Sequence, residues 1–237
     1  MNSPLAGLPL WAKELIVPFV CLCAIVLISE LTPIDFAVSD LFFDPPSGTW
    51  PFKNVWYMEL LHEGGRAVVF LIALTALLVA LAGIKAPHLR PYVRAAAFIA
   101  ICLGAAAALV GLLKHSSQRP CPFKTDRYGG TTPHLGIFET LPQGVQFGTC
   151  FPAAHAAGAF ALFACYFVFR DHSPARAKRA LWFALFLGNL YGCVQIVRGQ
   201  HYLSHHLWAG VIVWYLCLGI YWLGFRGRLW PSAAASA

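Results

Sequence analysis

The sequence predicts an all-α integral membrane protein, a bundle of six transmembrane helices. Three observations carry this. Of 237 residues, 59% are hydrophobic and 11% charged, against about 25% charged in an ordinary soluble domain. The mean hydropathy is +0.64. The apolar residues gather into six runs, each close to the ~20 residues a helix needs to cross a bilayer. The 17 basic and 10 acidic side chains are too few to clothe a soluble globule of this size. This composition excludes a disordered tail, a collagen-like fibre and an ordinary cytosolic enzyme. Eight Cys in so apolar a chain are too dilute for a disulfide miniprotein.

The runs cover 15–31, 67–84, 95–113, 153–169, 180–197 and 207–225, and the one charged residue inside them is Glu30. In hydrocarbon a helix bonds its own backbone, so six such runs make a helical bundle rather than a barrel. They are read as a single membrane-embedded domain over 1–237. No cleavable signal peptide is evident, and 15–31 is long enough to remain as an uncleaved anchor.

Lys and Arg in the connections orient the bundle. The N-terminus, 85–94, 170–179 and the C-terminus together hold ten of them, and the opposite side holds seven with eight of the ten acidic residues, counting Glu30 at the end of the first run. Both termini are therefore placed in the cytoplasm, with 32–66, 115–152 and 198–206 outside. The net charge of +7 is scattered between apolar runs, which argues for a bilayer and against a nucleic-acid partner. Loop 32–66 holds Trp50, Trp56 and Tyr57, residues suited to the membrane interface, and a short interfacial helix is expected there. His62 and Arg66 stand at the end of that loop as candidates to border the site, with no motif that establishes it.

Three segments stand at the outer ends of spans three to six: KHSSQRPCP over 114–122, CFPAAHA over 150–156 and RGQHYLSHHLW over 198–208. Their residue types suit phosphate chemistry. Arg gives a two-pronged grip on a phosphoryl group and Lys a point charge. A neutral His attacks phosphorus and a second His protonates the leaving oxygen. Phosphoryl transfer depends mostly on positioning and charge neutralisation, so a fixed basic cluster needs neither metal nor cofactor. A metal remains an alternative, because His201 and His205 stand at ligand spacing for one helix face, with His206 and Cys121 as further ligands.

These segments resemble the type 2 phosphatidic acid phosphatases, membrane members of the vanadium haloperoxidase superfamily, in a divergent bacterial branch. The family pattern is K-x6-R-P, then P-S-G-H, then S-R-x5-H-x3-D. The resemblance covers about 60–225 and implies the six-helix layout, with the active site at the periplasmic end of helices three to six. It implies His201 as the phosphorylated nucleophile, His155 as general acid and Lys114 as a phosphate ligand. In register, Cys121 and Gln195 stand where the family has Arg, Ala153 and Ala154 where it has Ser and Gly, and His205 where it has the orienting Asp. Arg119 and Arg198 lie close enough to supply the two guanidinium groups, and a neutral His205 is expected to accept a hydrogen bond from His201. The implied activity is hydrolysis of a membrane lipid phosphate or pyrophosphate. A lipid phosphotransferase using the same site, and a catalytically weak relative that binds anionic lipids, are the alternatives.

Cys121 and Cys150 are the two Cys on the periplasmic side in this topology, and they bracket the long loop. In an oxidising compartment they are expected to form a disulfide.

Overall fold

A computed structural model of the protein describes residues 7–140, 142–144 and 148–230. Positions 141 and 145–147 of the 115–152 loop, and both terminal stretches, lie outside them. Among the described residues the regular structure is helical, with no strand. The helices are α1 (Leu10–Leu31), α2 (Ile34–Asp40), α3 (Trp56–Lys85), α4 (Val93–Ser117), α5 (Ala154–Phe160), α6 (Phe163–Phe169), α7 (Pro174–Val197) and α8 (Leu203–Gly219), the last continued by a π turn over Ile220–Gly224.

Five of these stretches are long and apolar enough to cross a membrane: α1, α3, α4, α7, and α8 with its π turn. That fits a multi-pass membrane protein. The fourth apolar run folds differently, as the short helices α5 and α6. The rings of Phe160 and Phe163 stack across the break with centroids 5.5 Å apart.

Small residues let the helices approach, as they do where lipid supplies no hydrophobic drive. Gly188 of α7 lies under the Phe160 ring, and Gly192 lies under the ring of His206 on α8; a Cβ would stand 2.2 Å from the first and 1.9 Å from the second. Gly65, Ala76, Ala80 and Gly83 form the buried face of α3, which packs on α4. At the opposite end from the three motif segments, Glu14 of α1 pairs bidentately with Arg170 at 2.8 Å, and Tyr166 donates to the same carboxylate at 2.6 Å. Both charges are buried, so each needs the other.

Two of the boundaries that differ from the sequence reading bear on the site. α3 begins at Trp56 instead of near 67, so His62, Glu63 and Arg66 ride on a helix rather than in a loop. Polar residues do not stop a helix whose backbone still bonds itself, and Arg66 bridges Glu63 one turn away at 3.0 Å. α8 begins at Leu203, which leaves His201 just ahead of it.

A cap of α2 and the 115–152 loop covers the motif end. Arg127 grips Asp40 of α2 through two bonds, at 2.6 and 3.2 Å, and Tyr128 donates to the same carboxylate at 2.8 Å. Arg127 holds the Asp40 carboxyl below its usual range, burial opposing it. Beneath this lie the buried rings of Trp50, Tyr128 and Tyr202. Gly199, at φ +68°, sits directly under Trp50, where a Cβ would fall 2.3 Å from the indole. The position therefore combines a left-handed backbone with a close approach, and both require glycine.

Candidate active site

The three motif segments meet through main-chain bonds. Lys114 lies in the last turn of α4. Just beyond it, Ser117 Oγ donates to the Phe151 carbonyl at 2.7 Å, and the Cys150 N–H donates to the Arg119 carbonyl at 3.0 Å. Cys121 and Cys150 are joined by a disulfide, with their Cα atoms 5.2 Å apart. The Ala153 N–H donates to the His205 carbonyl at 3.1 Å, tying the second segment to the third.

His201 is 4% exposed, and His205, Lys114 and His155 all act on it electrostatically. The backbone of Cys150 lies beside the rings of both His201 and His205. Burial, then these neighbours, hold the His201 imidazole well below the ordinary histidine range. It is therefore neutral near pH 7, the state in which a ring nitrogen has a lone pair to offer.

His155 is the second residue of α5. It faces a cavity of about 650 Å³ between α3, α4, α5 and α7. One end of this cavity is polar, with His62, Glu63, Arg66, His155 and Gln195; further along α3 and α4 it is apolar, with Phe70, Ala73 and Leu103. Lys114 is half-buried and acts on both His155 and His201. The structure thus brings Lys114, His155, His201 and His205 together. Gln195, the position where the family pattern has its second Arg, lines the same cavity.

One expectation changes, and two of the named arginines have partners elsewhere. The hydrogen bond from His201 to His205 is not made: the ring centroids are 6.1 Å apart, and neither Nδ1 has a partner. Because α8 starts after His201, the two rings do not share a helix face. Arg119 is buried, and its Nη2 donates to the carbonyls of Ile137, at 2.8 Å, and Glu139; that nitrogen holds the cap loop in place. Arg198 spends its Nε on the Lys53 carbonyl at 3.0 Å and lies near His62.

Sequence reasoning gave His62 only as a candidate to border the site and did not single out Glu63. The available signal was the charge spacing Glu59, Glu63, Arg66, which continues a helix below position 67. No group of three or more His, Cys, Asp or Glu arranged to hold a metal ion occurs among the described residues.

Fold and cluster define a class first: a multi-pass helical protein whose histidines and a lysine gather at one end of the bundle. The sequence model of the PAP2 superfamily matches residues 95–228, and the chain belongs to that family. No curated protein and no solved structure matches the chain. Members of the superfamily are phosphatases, which supports a phosphoric ester hydrolase in general terms. The matched stretch runs from α4 to the end of α8 and holds all three motif segments, while α1, α2 and α3 fall outside it.

Proposed function

We propose that the protein is a membrane phosphatase acting on a lipid phosphate or lipid pyrophosphate through a phosphohistidine, without a metal. One observation carries the reading: Lys114 and His155 both act electrostatically on the buried His201, and His155 lines a cavity that is polar at one end and apolar along its length. A head group bearing phosphate suits the first end and a hydrocarbon tail the second. In this reading α5 and α6 together complete a sixth crossing, both termini are cytoplasmic, and the site opens to the periplasm of the inner membrane. The whole chain acts as one membrane-embedded domain.

Lys114, with Arg198 at the edge, holds the phosphoryl oxygens. The neutral His201 attacks in line and a nitrogen–phosphorus bond forms. His155 gives its proton to the leaving oxygen as the phosphorus–oxygen bond breaks. Neutral His155 then takes a proton from water, which attacks phosphorus and frees His201. An acceptor alcohol in place of water makes the same site a phosphotransferase. A second reading, an anionic-lipid-binding relative of low activity, is favoured by the lack of a carboxylate partner at His201 Nδ1.

The test is phosphate release from a panel of lipid phosphates and pyrophosphates by detergent-purified protein in excess chelator. Release by wild type that disappears in His201→Ala is expected. Equal release by that variant refutes the nucleophile, and no release from any lipid by folded wild type moves the reading to the binding relative.

A further inference from the structure

Trp230 stands where two cavities meet, at the end of the bundle opposite the motif segments. The first, of about 780 Å³, is polar. Arg94 at the start of α4, Asp171 and His172 after α6, and Arg226 and Arg228 after the π turn line it. Asp171 is the carboxylate among these, and it is already engaged: Arg170 donates to one oxygen at 2.8 Å and the Tyr221 hydroxyl to the other. Arg94 gives its Nε to the Arg228 carbonyl at 2.9 Å and its Nη2 to the Phe225 carbonyl at 3.2 Å, which folds the chain back over α4. Arg226 and Arg228 are exposed and form no ion pair among the described residues. Arg226 also takes a left-handed backbone, at φ +53°, which a long side chain seldom adopts.

The second cavity, of about 590 Å³, is an apolar groove between α3, α4 and α6, with Leu71, Thr75, Val79, Ile99 and Phe169 on its walls. Leu71 and Tyr92 are more than half exposed, so the groove opens outward. Tyr92 and Trp230 stand together at its polar end, their ring centroids 6.1 Å apart, and the Trp230 indole donates to the Val168 carbonyl at 2.8 Å. Tyr and Trp favour the level at which hydrocarbon gives way to head groups. A basic pocket thus continues, through an interfacial aromatic, into an apolar groove.

We propose that these two cavities bind one anionic phospholipid, a phosphodiester whose head group carries no cation, such as phosphatidylglycerol. Arg226 and Arg228 hold the phosphate, Trp230 lies at the level of the glycerol, and an acyl chain fills the groove. Basic pockets between helices at a membrane surface suit such head groups. A choline head group brings its ammonium against the same guanidinium groups and is repelled. A free phosphate ion would use the basic pocket alone, and the adjoining groove is what argues for a lipid. No lining residue is shared with the cavity beside His155, so the proposal stands independently of the phosphatase reading. In the topology proposed above, this lipid belongs to the cytoplasmic leaflet.

The test uses the full-length protein, stripped of lipid in detergent and titrated with phosphatidylglycerol or phosphatidylcholine, with native mass spectrometry to read the bound copies. One phosphatidylglycerol, held about tenfold or more tighter than phosphatidylcholine, is expected. Arg226→Gln combined with Arg228→Gln should weaken it about thirtyfold, as two surface cations act together, and bring the two lipids level. Lys114→Ala, at the other end of α4, should leave this binding unchanged. Glycerophosphoglycerol, the head group without its chains, should fail to displace the lipid at equal concentration. A phosphatidylglycerol with a diazirine in its acyl chain should label the groove, at Thr75 or Ile99. Equal binding of both lipids, or unchanged affinity in the double variant, overturns the proposal. Loss in Lys114→Ala assigns the lipid to the catalytic cavity and overturns it as well. Displacement by the chainless head group, or label confined to other faces, removes the groove from the site and refutes a lipid there.

Discussion

Asp35 caps a helix to which it does not belong. Its Oδ1 accepts the Ser204 N–H at 2.8 Å and its Oδ2 accepts the Ser204 hydroxyl at 2.5 Å, in the first turn of α8. The free N–H groups and the dipole at a helix start favour a negative charge there. The same turn sets the direction of the chain at His201 and carries His205.

Asp35→Ala is expected to cost about 1–2 kcal/mol, read as a lower Tm in detergent, with a loss of activity because His201 is no longer held. Asp35→Asn keeps an accepting oxygen and should recover most of both. Burial raises the Asp35 pKa against the lowering effect of its bonds to Ser204. The folded state therefore holds this proton more readily than the unfolded one. Its contribution to stability declines as pH rises from the ordinary carboxylate range through the raised value, and the Asn variant should lose that part of the pH dependence. Alanine and asparagine variants with the same Tm refute the cap.

The His201 shift predicts the acid limb of catalysis. Loss of neutral imidazole occurs as pH falls through its folded pKa, which lies well below the ordinary 6.5. Single-turnover formation of phosphohistidine should therefore show no His201 limb at pH 6.5 and should persist into more acidic buffer. The unfolded chain protonates this residue near 6.5 and the folded chain resists, so its share of stability is whole above that pH and declines below it. A phosphorylation limb centred on 6.5 contradicts the buried, crowded ring.

Lys114 and Arg119 should respond differently to removal. Lys114→Ala removes a charge from the cluster, and a charged contact to phosphate is worth about 1.5–3 kcal/mol. A rise in KM of about ten- to a hundredfold is expected at unchanged Tm. Arg119→Ala strands the Ile137 and Glu139 carbonyls, and should lower Tm more than it raises KM. The reverse pattern assigns Arg119 to substrate and Lys114 to the fold.

The Cys121–Cys150 disulfide closes a span of 29 residues, for which the chain-entropy model gives about 3–4 kcal/mol. Replacing both Cys by Ser should lower Tm accordingly. Activity should fall with it, because the Cys150 backbone contacts both His201 and His205. Mass spectrometry of unreduced protein checks the bond itself, and two free thiols there refute it.

Much of the architecture was legible in the residues. Long runs such as those in α3, α4 and α7 could become nothing but helices, since hydrocarbon offers the backbone no partner but itself. The segments bearing Lys114, His155 and His201 were legible because each carries a dense polar motif at the end of an apolar run. The α5–α6 break was not, because an unbroken apolar sequence carries no mark of where its helix turns. Nor was the hold of Arg119 on the cap loop, for a related reason: the partners of its Nη2 are backbone carbonyls, which every residue has, so no sequence pattern announces them.

Hydropathy and residue type are local properties, so the residues alone carry the helical class, the ends of the apolar runs and the three polar motif segments that stand there. The tertiary structure alone decided which polar groups meet. It set His62 against His155, Asp35 against Ser204 and Arg119 against the cap loop, and it kept His205 apart from His201. Each of these follows from helix start points and packing offsets. A shift of one residue turns a side chain through about 100° around a helix, and composition and spacing do not encode that angle between separate elements.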